Sequence, residues 1–164
     1  VLEEPIHFID LLLWYFSVVV APTAVRASVN SEESDLSRDF TAVFEFPNGG
    51  YGMVSQTLGG FEHHQVVEVT GTGGAIRSLW SGAMDRTDKP QYSVAYKTRS
   101  EEHPHYLNLE GPSGELFEIR RYIGSALDEM EAGVSVYPVE KELQLMRVCL
   151  AAEQSARTGT RVEL

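Results

Sequence analysis

The stretch FTAVFEFPNGGYGMVSQTL, residues 40–58, decides the fold. On both sides of Pro47-Asn48-Gly49-Gly50, aromatic and β-branched residues alternate with small or polar ones at period two, the pattern of half-buried strands. The four central residues tolerate the positive φ that tight turns demand, so segments 40–46 and 51–58 are expected to form an antiparallel hairpin.

Upstream, residues 25–29 read as another strand, and before them Pro5 suits the first position of a helix spanning about 5–16. That helix is apolar nearly all round, through Ile6, Phe8, Ile9, Leu11, Leu12, Leu13, Trp14 and Phe16. Such a composition predicts burial on most sides, with His7 and Asp10 as polar exceptions one turn apart on one face. Downstream, Gly59-Gly60 marks a turn, and residues 65–70 and 75–80 flank the tight turn Gly71-Thr72-Gly73-Gly74. Segments 91–98 and 106–109 complete what reads as one meander. Ser113 then offers an N-cap for a helix over 114–132, closed by Gly133. A second long helix is predicted over 139–157, stopped by Gly159, and residues 161–164 form a final short strand. Helix, antiparallel strands, then two helices define an α+β class: a largely antiparallel open sheet with helices packed on one face. The other face, as apolar as Val43, Val54, Val66 and Val69 suggest, needs a second subunit or another domain.

At 164 residues with 43% hydrophobic content, the chain is long enough for a core and has the usual size of one domain. Its 24 acidic and 13 basic residues give a net charge of −11. This argues against a nucleic-acid partner, which needs a basic surface to neutralise phosphates. The longest apolar stretch, residues 11–21, falls short of the roughly 18 residues of a membrane span. Acidic rather than basic residues precede it, so neither a membrane anchor nor a signal peptide is expected. The single cysteine, Cys149, lies in a helical run beside Met146 and Leu150 and reads as a small buried hydrophobe. A reducing cytoplasm is the expected compartment.

Glu3-Glu4-Pro5-Ile6-His7-Phe8-Ile9-Asp10-Leu11, followed by Trp14, resembles the acid-x-x-x-His-x-x-Asp-Leu segment of the glucose-fructose oxidoreductase, inositol dehydrogenase and MocA (Gfo/Idh/MocA) family. The finish, Ala151-Ala152-Glu153-Gln154-Ser155 through Gly159 to Val162, is similar to that family's last helix and strand. Gly71-Thr72-Gly73-Gly74-Ala75 resembles one of its sheet turns. The resemblance spans nearly the whole chain and implies a dihydrodipicolinate-reductase-like C-terminal domain over residues 1–164, for substrate binding and oligomerisation. It also implies a preceding Rossmann domain with a Gly-x-Gly-x-x-Gly turn and a catalytic lysine in a Glu-Lys-Pro segment. Neither motif occurs in these 164 residues. NAD or NADP is therefore expected in the full-length protein and not on this chain alone, which is expected to be inactive by itself.

By residue type alone, His7 reads as a core histidine satisfied by a local partner. The resemblance instead makes it the catalytic base that takes a hydroxyl proton from a sugar, polyol or related substrate. Its place near a helix N-terminus favours the neutral, proton-accepting ring. Glu3 stands where the family has Asp; its longer side chain, and a helix that starts only at Pro5, depart from the family's i,i+4 arrangement. Asp10 is expected to be a supporting hydrogen-bond acceptor. His63 and His64 adjoin a strand start, where neighbours face opposite sides, so one imidazole could reach the substrate. Otherwise they are partly exposed turn residues. His103-Pro104-His105 lacks the ligand spacing of a zinc site. Trp80 and Arg86 read as packing and surface charge. The competing class is a non-catalytic binding or oligomerisation module whose open sheet makes a homo-oligomer.

Overall fold

A computed structural model describes residues 4–16, 21–29, 39–58, 63–83, 89–112, 114–134 and 139–164. The expected positions Glu3, Gly59-Gly60, Arg86 and Ser113 lie outside them. The chain divides into two compact units, Val1–Gly60 with Val136–Leu164, and Phe61–Ser135.

In the first unit, helix α1 (Pro5–Phe16) precedes strands β1 (Ala24–Val29), β2 (Asp39–Glu45) and β3 (Tyr51–Thr57). The Pro47–Gly50 hairpin forms as its residues dictate. Gly49 takes φ +79, and the Asn48 side-chain oxygen accepts the Gly50 N–H at 2.9 Å. Register places Val25 opposite Phe44, Ala27 opposite Ala42, Ala42 opposite Val54 and Phe44 opposite Gly52. Those residues share one sheet face, which both long helices of the unit cover. The alternate residues Thr41, Val43, Tyr51 and Met53 form the other face, where Tyr51 and Met53 are exposed.

Helix α1 sits on the inner face through Pro5, Ile9, Leu12 and Phe16, spaced 4, 3 and 4 residues apart. Leu12 lies so close over Gly52 that a Cβ there would meet its Cδ1 at 2.5 Å, so glycine sets the approach of helix to sheet. Phe16 stacks flat on Phe46, with centroids 4.1 Å apart. The sequence predicts burial on most sides of this helix. Only Pro5 and Ile9 are fully buried, because the helix has one covered side, and Trp14 is 64% exposed.

Helix α3 (Val139–Thr158) adds Leu145, Val148, Cys149, Ala151 and Ala152 to the core. It stops at Gly159, φ +67. The chain then returns as β8 (Val162–Glu163), giving the order β3-β2-β1-β8. Because β8 pairs only with Ala24 and Val25, the Ala27 N–H further along that edge has no strand partner. The buried Ser155 hydroxyl supplies one: its Oγ accepts the Ala27 N–H at 2.8 Å and donates to the Thr160 carbonyl. Arg161 holds Glu45 with two bonds, 2.9 and 2.8 Å, and also reaches Glu163. The guanidinium keeps the Glu45 carboxyl below the usual range.

The second unit contains β4 (Gln65–Gly71), β5 (Gly74–Ser81), β6 (Gln91–Thr98), β7 (His105–Tyr106) and helix α2 (Glu115–Ala132). The four strands pair in chain order as a meander of their own. The expected single meander is thus two sheets: period-two alternation identifies strands but does not say which neighbour each one bonds. The turn at Gly74 is sterically fixed, since a Cβ would sit 2.2 Å from the Lys97 carbonyl oxygen. Helix α2 ends as its sequence predicts, with Gly133 left-handed at φ +67 and the Val134 N–H returning to the Glu129 carbonyl. Its apolar residues do not find a core. Leu116, Ile119, Tyr122, Ile123, Leu127 and Met130 are all exposed.

Candidate functional site

The first unit presents His7 and Asp10 on the face of α1 that points away from the sheet. The buried stripe through Pro5, Ile9, Leu12 and Phe16 fixes this: His7 follows Pro5 by two residues, about 200° around the helix, and Asp10 follows His7 by one turn. Both side chains are exposed. The His7 N–H donates to the Glu4 carbonyl at 3.2 Å, within the first turn. The expectation of a histidine surrounded by apolar side chains is therefore corrected, because the apolar residues beside it cover the sheet and not the ring. Nearby, burial pushes the Cys149 thiol up to about 12, with a smaller contribution from the Asp10 carboxylate. A thiol so rarely ionised is a packing group and not a nucleophile.

The second unit carries His63 and His64, both exposed, just before β4. The His63 carbonyl accepts the hydroxyl of the buried Ser81 at 3.1 Å, and its ring stands edge-on to Trp80, centroids 6.0 Å apart at 76°. Trp80 donates its indole N–H to both oxygens of Glu118, at 2.9 and 3.1 Å. The adjacent Glu115 N–H donates to the Gly82 carbonyl at 2.9 Å. Sequence reasoning treated Trp80 as packing and passed over Ser81, Gly82 and Glu118. The available signal was a glycine directly after Trp80-Ser81 and an acid in the first turn of the next helix.

His103 lies exposed in the loop before β7, and His105 belongs to a different kind of cluster. The Glu101 carboxylate takes the Thr98 hydroxyl at 2.6 Å, the Thr98 N–H at 2.8 Å and His105 Nε2 at 2.8 Å. Those bonds, the Thr98 hydroxyl first, hold Glu101 at about 2. Tyr96 stacks on His105 with centroids 5.2 Å apart. The cluster closes the β6–β7 connection. Among the described residues, no three His, Cys, Asp or Glu side chains converge as metal ligands would.

A dinucleotide needs a strand, a glycine-rich turn and a helix whose N-terminal amides meet the pyrophosphate. Gly71–Gly74 instead closes an antiparallel hairpin between β4 and β5. That turn therefore lacks the context in which backbone amides hold a pyrophosphate. No described helix is long and apolar enough to cross a membrane.

The fold is similar to parts of several solved oxidoreductase structures. An aldose-aldose oxidoreductase from Caulobacter crescentus, solved with glycerol, superposes at a TM-score of 0.68 with 16% identity, over 97% of this chain and 45% of that one. The WlbA dehydrogenase from Bordetella pertussis, solved with NADH and UDP-GlcNAcA, gives 0.63 and 17% over 98% and 43%. An oxidoreductase from Agrobacterium radiobacter, solved with NAD+, L-tartaric acid and magnesium, gives 0.69 and 16% over 98% and 48%. The chain thus spans less than half the length of each of these three. Comparison with curated proteins gave no match. Residues 5–77 match the family model described as GFO/IDH/MocA C-terminal domain. This bears out the resemblance carried by the His7 segment.

Proposed function

We propose that this chain is the substrate-side half of an NAD(P)-dependent oxidoreductase acting on a sugar, polyol or related hydroxy compound. A dinucleotide-binding domain outside these 164 residues holds the NAD or NADP. The observation that carries the reading is His7 on the exposed stripe of α1, inside the segment that matches the family. An exposed imidazole, fixed by a helix packed on its own sheet, can accept a hydroxyl proton as the carbinol carbon is oxidised. Asp10, one turn on, supports that helix face, and Glu3 joins it as a substrate or supporting contact. His63 and His64 are the substrate contacts of the second unit. The open sheet faces, with Tyr51, Met53, Val66 and Tyr106 exposed, support a homo-oligomer. The net charge of −11 supports a protein without a nucleic-acid partner, and the buried, unpaired Cys149 agrees with a reducing cytoplasm.

The test is turnover of a polyol by the full-length protein with His7→Ala. The expected loss is about 10²- to 10⁴-fold, with the size of the assembly unchanged. The exposed apolar face of α2 favours a second reading, an assembly module without catalysis. Full turnover in the His7→Ala protein would remove His7 from the mechanism, and lost assembly with the same substitution would favour that second reading.

A further inference from the structure

Little of the second unit is buried. Among its described residues only Ser81, Gly82, Ala83 and Gly114 lack exposure, and all four lie where the end of β5 meets the start of α2. The exposed His63 adjoins this packed spot. The buried Ser81 hydroxyl holds its carbonyl, and the Trp80 indole lies against its ring. Trp80 is itself fixed twice. Glu118 accepts its N–H with both oxygens, and Gly82 lies so close to the indole that a Cβ would come within 2.5 Å of its ring atoms. By register Trp80 stands between Gln65 on β4 and Tyr92 on β6, on one sheet face. The Tyr92 hydroxyl is in turn tied to the carbonyls of Leu109 and Gly111. A surface histidine with no task needs none of this support, since exposed side chains ordinarily sample several rotamers.

We infer that Trp80, backed by Ser81, Gly82 and Glu118, is a positioning residue that fixes His63 to donate to or accept from a substrate hydroxyl. The inference deepens the oxidoreductase reading and rests on it. A carbohydrate hydroxyl can both give and take a hydrogen bond, which suits an imidazole held in one orientation.

Histidine proton NMR on the full 164-residue chain tests this, with D-glucose as the probe. The neighbouring indole gives the His63 carbon protons a ring-current shift, and glucose should move the His63 signals more than those of His64. Trp80→Leu should abolish that ring-current shift and weaken the glucose response about three- to tenfold, the scale of one aromatic contact. Because loss of Trp80 could unfold the spot, the milder pair Glu118→Gln and Glu118→Ala supplies the control. The amide side chain still accepts the indole N–H and keeps the His63 signature, whereas alanine loses it. His63 signals that ignore Trp80→Leu, or that glucose leaves unmoved in the unmodified chain, would overturn the inference. Absence of polyol turnover in the unmodified full-length protein removes the oxidoreductase reading while leaving the His63 signature intact, so the two failures are distinguishable.

Discussion

The two units share strand-rich antiparallel architecture and differ in what they bury. In the first, Phe40, Phe44, Ile9 and Val25 are completely enclosed between β1–β3 and the helices α1 and α3. In the second, β4–β7 bury no large apolar side chain, and α2 buries none of its residues. Apolar burial is the dominant favourable term in folding. The first unit therefore has an apolar core of its own, and the second has little apolar burial to hold it. The two proposed site residues follow the same division: His7 rides on a helix packed over its own sheet, while His63 adjoins one small packed spot in an otherwise open sheet.

The largest expected effect lies in the closed unit. Phe44→Ala should cost about 3–5 kcal/mol by urea denaturation, the range for emptying a packed aromatic site. Ile76→Ala in the open sheet should cost less than about 1 kcal/mol, since its side chain already meets water. Equal costs would abolish the distinction. Next is Ser155→Ala, which leaves the Ala27 N–H buried without a partner and should cost about 1–3 kcal/mol in the same measurement. This locates the closure of the first unit at the end of β1.

A smaller effect marks the open unit. Glu101 has a folded value depressed from 4.5 to about 2, so its contribution is fully present above 4.5 and is lost as pH falls through about 2. Glu101→Gln should remove that acid dependence from the Tyr96 and His105 signals in an NMR pH titration. An unchanged titration would mean the clasp contributes nothing. Smallest of all, Cys149 should stay unmodified by a thiol reagent at pH 8 until urea unfolds the first unit, because its thiol is buried and pushed up to about 12. Labelling of the native chain would show that the core opens locally.

Much of this fold was legible in the sequence because its local signals are strong. Pro5 set the start of α1, Asn48-Gly49 set the hairpin, and Gly133 and Gly159 ended their helices where their φ values require. The expected strand at 161–164 forms as Val162–Glu163, and that at 106–109 shortens to His105–Tyr106. Partnership was not legible. Alternation in 51–58 and 65–70 gives two strands, yet nothing in either says that β3 and β4 belong to different sheets. Likewise the apolar stripe of α2 reads as a core-facing helix, and only three dimensions reveal that its side chains stay exposed. For the site, residue type and the family segment pointed to His7 and Asp10. The supports of His63 were hidden because Ser81 and Glu118 are distant in sequence and become neighbours of that residue only through β5 and the start of α2.

The contrast between a closed and an open unit is tested most directly by native-state hydrogen exchange on this chain, alone and then within the full-length protein. In the chain alone, amides of β1–β3 and α3 should exchange only with global unfolding, while those of β4–β7 and α2 exchange far faster. In the full-length protein the second group should slow selectively. Equal protection of both groups in the isolated chain would contradict the division into a self-supporting unit and one that waits for its cover.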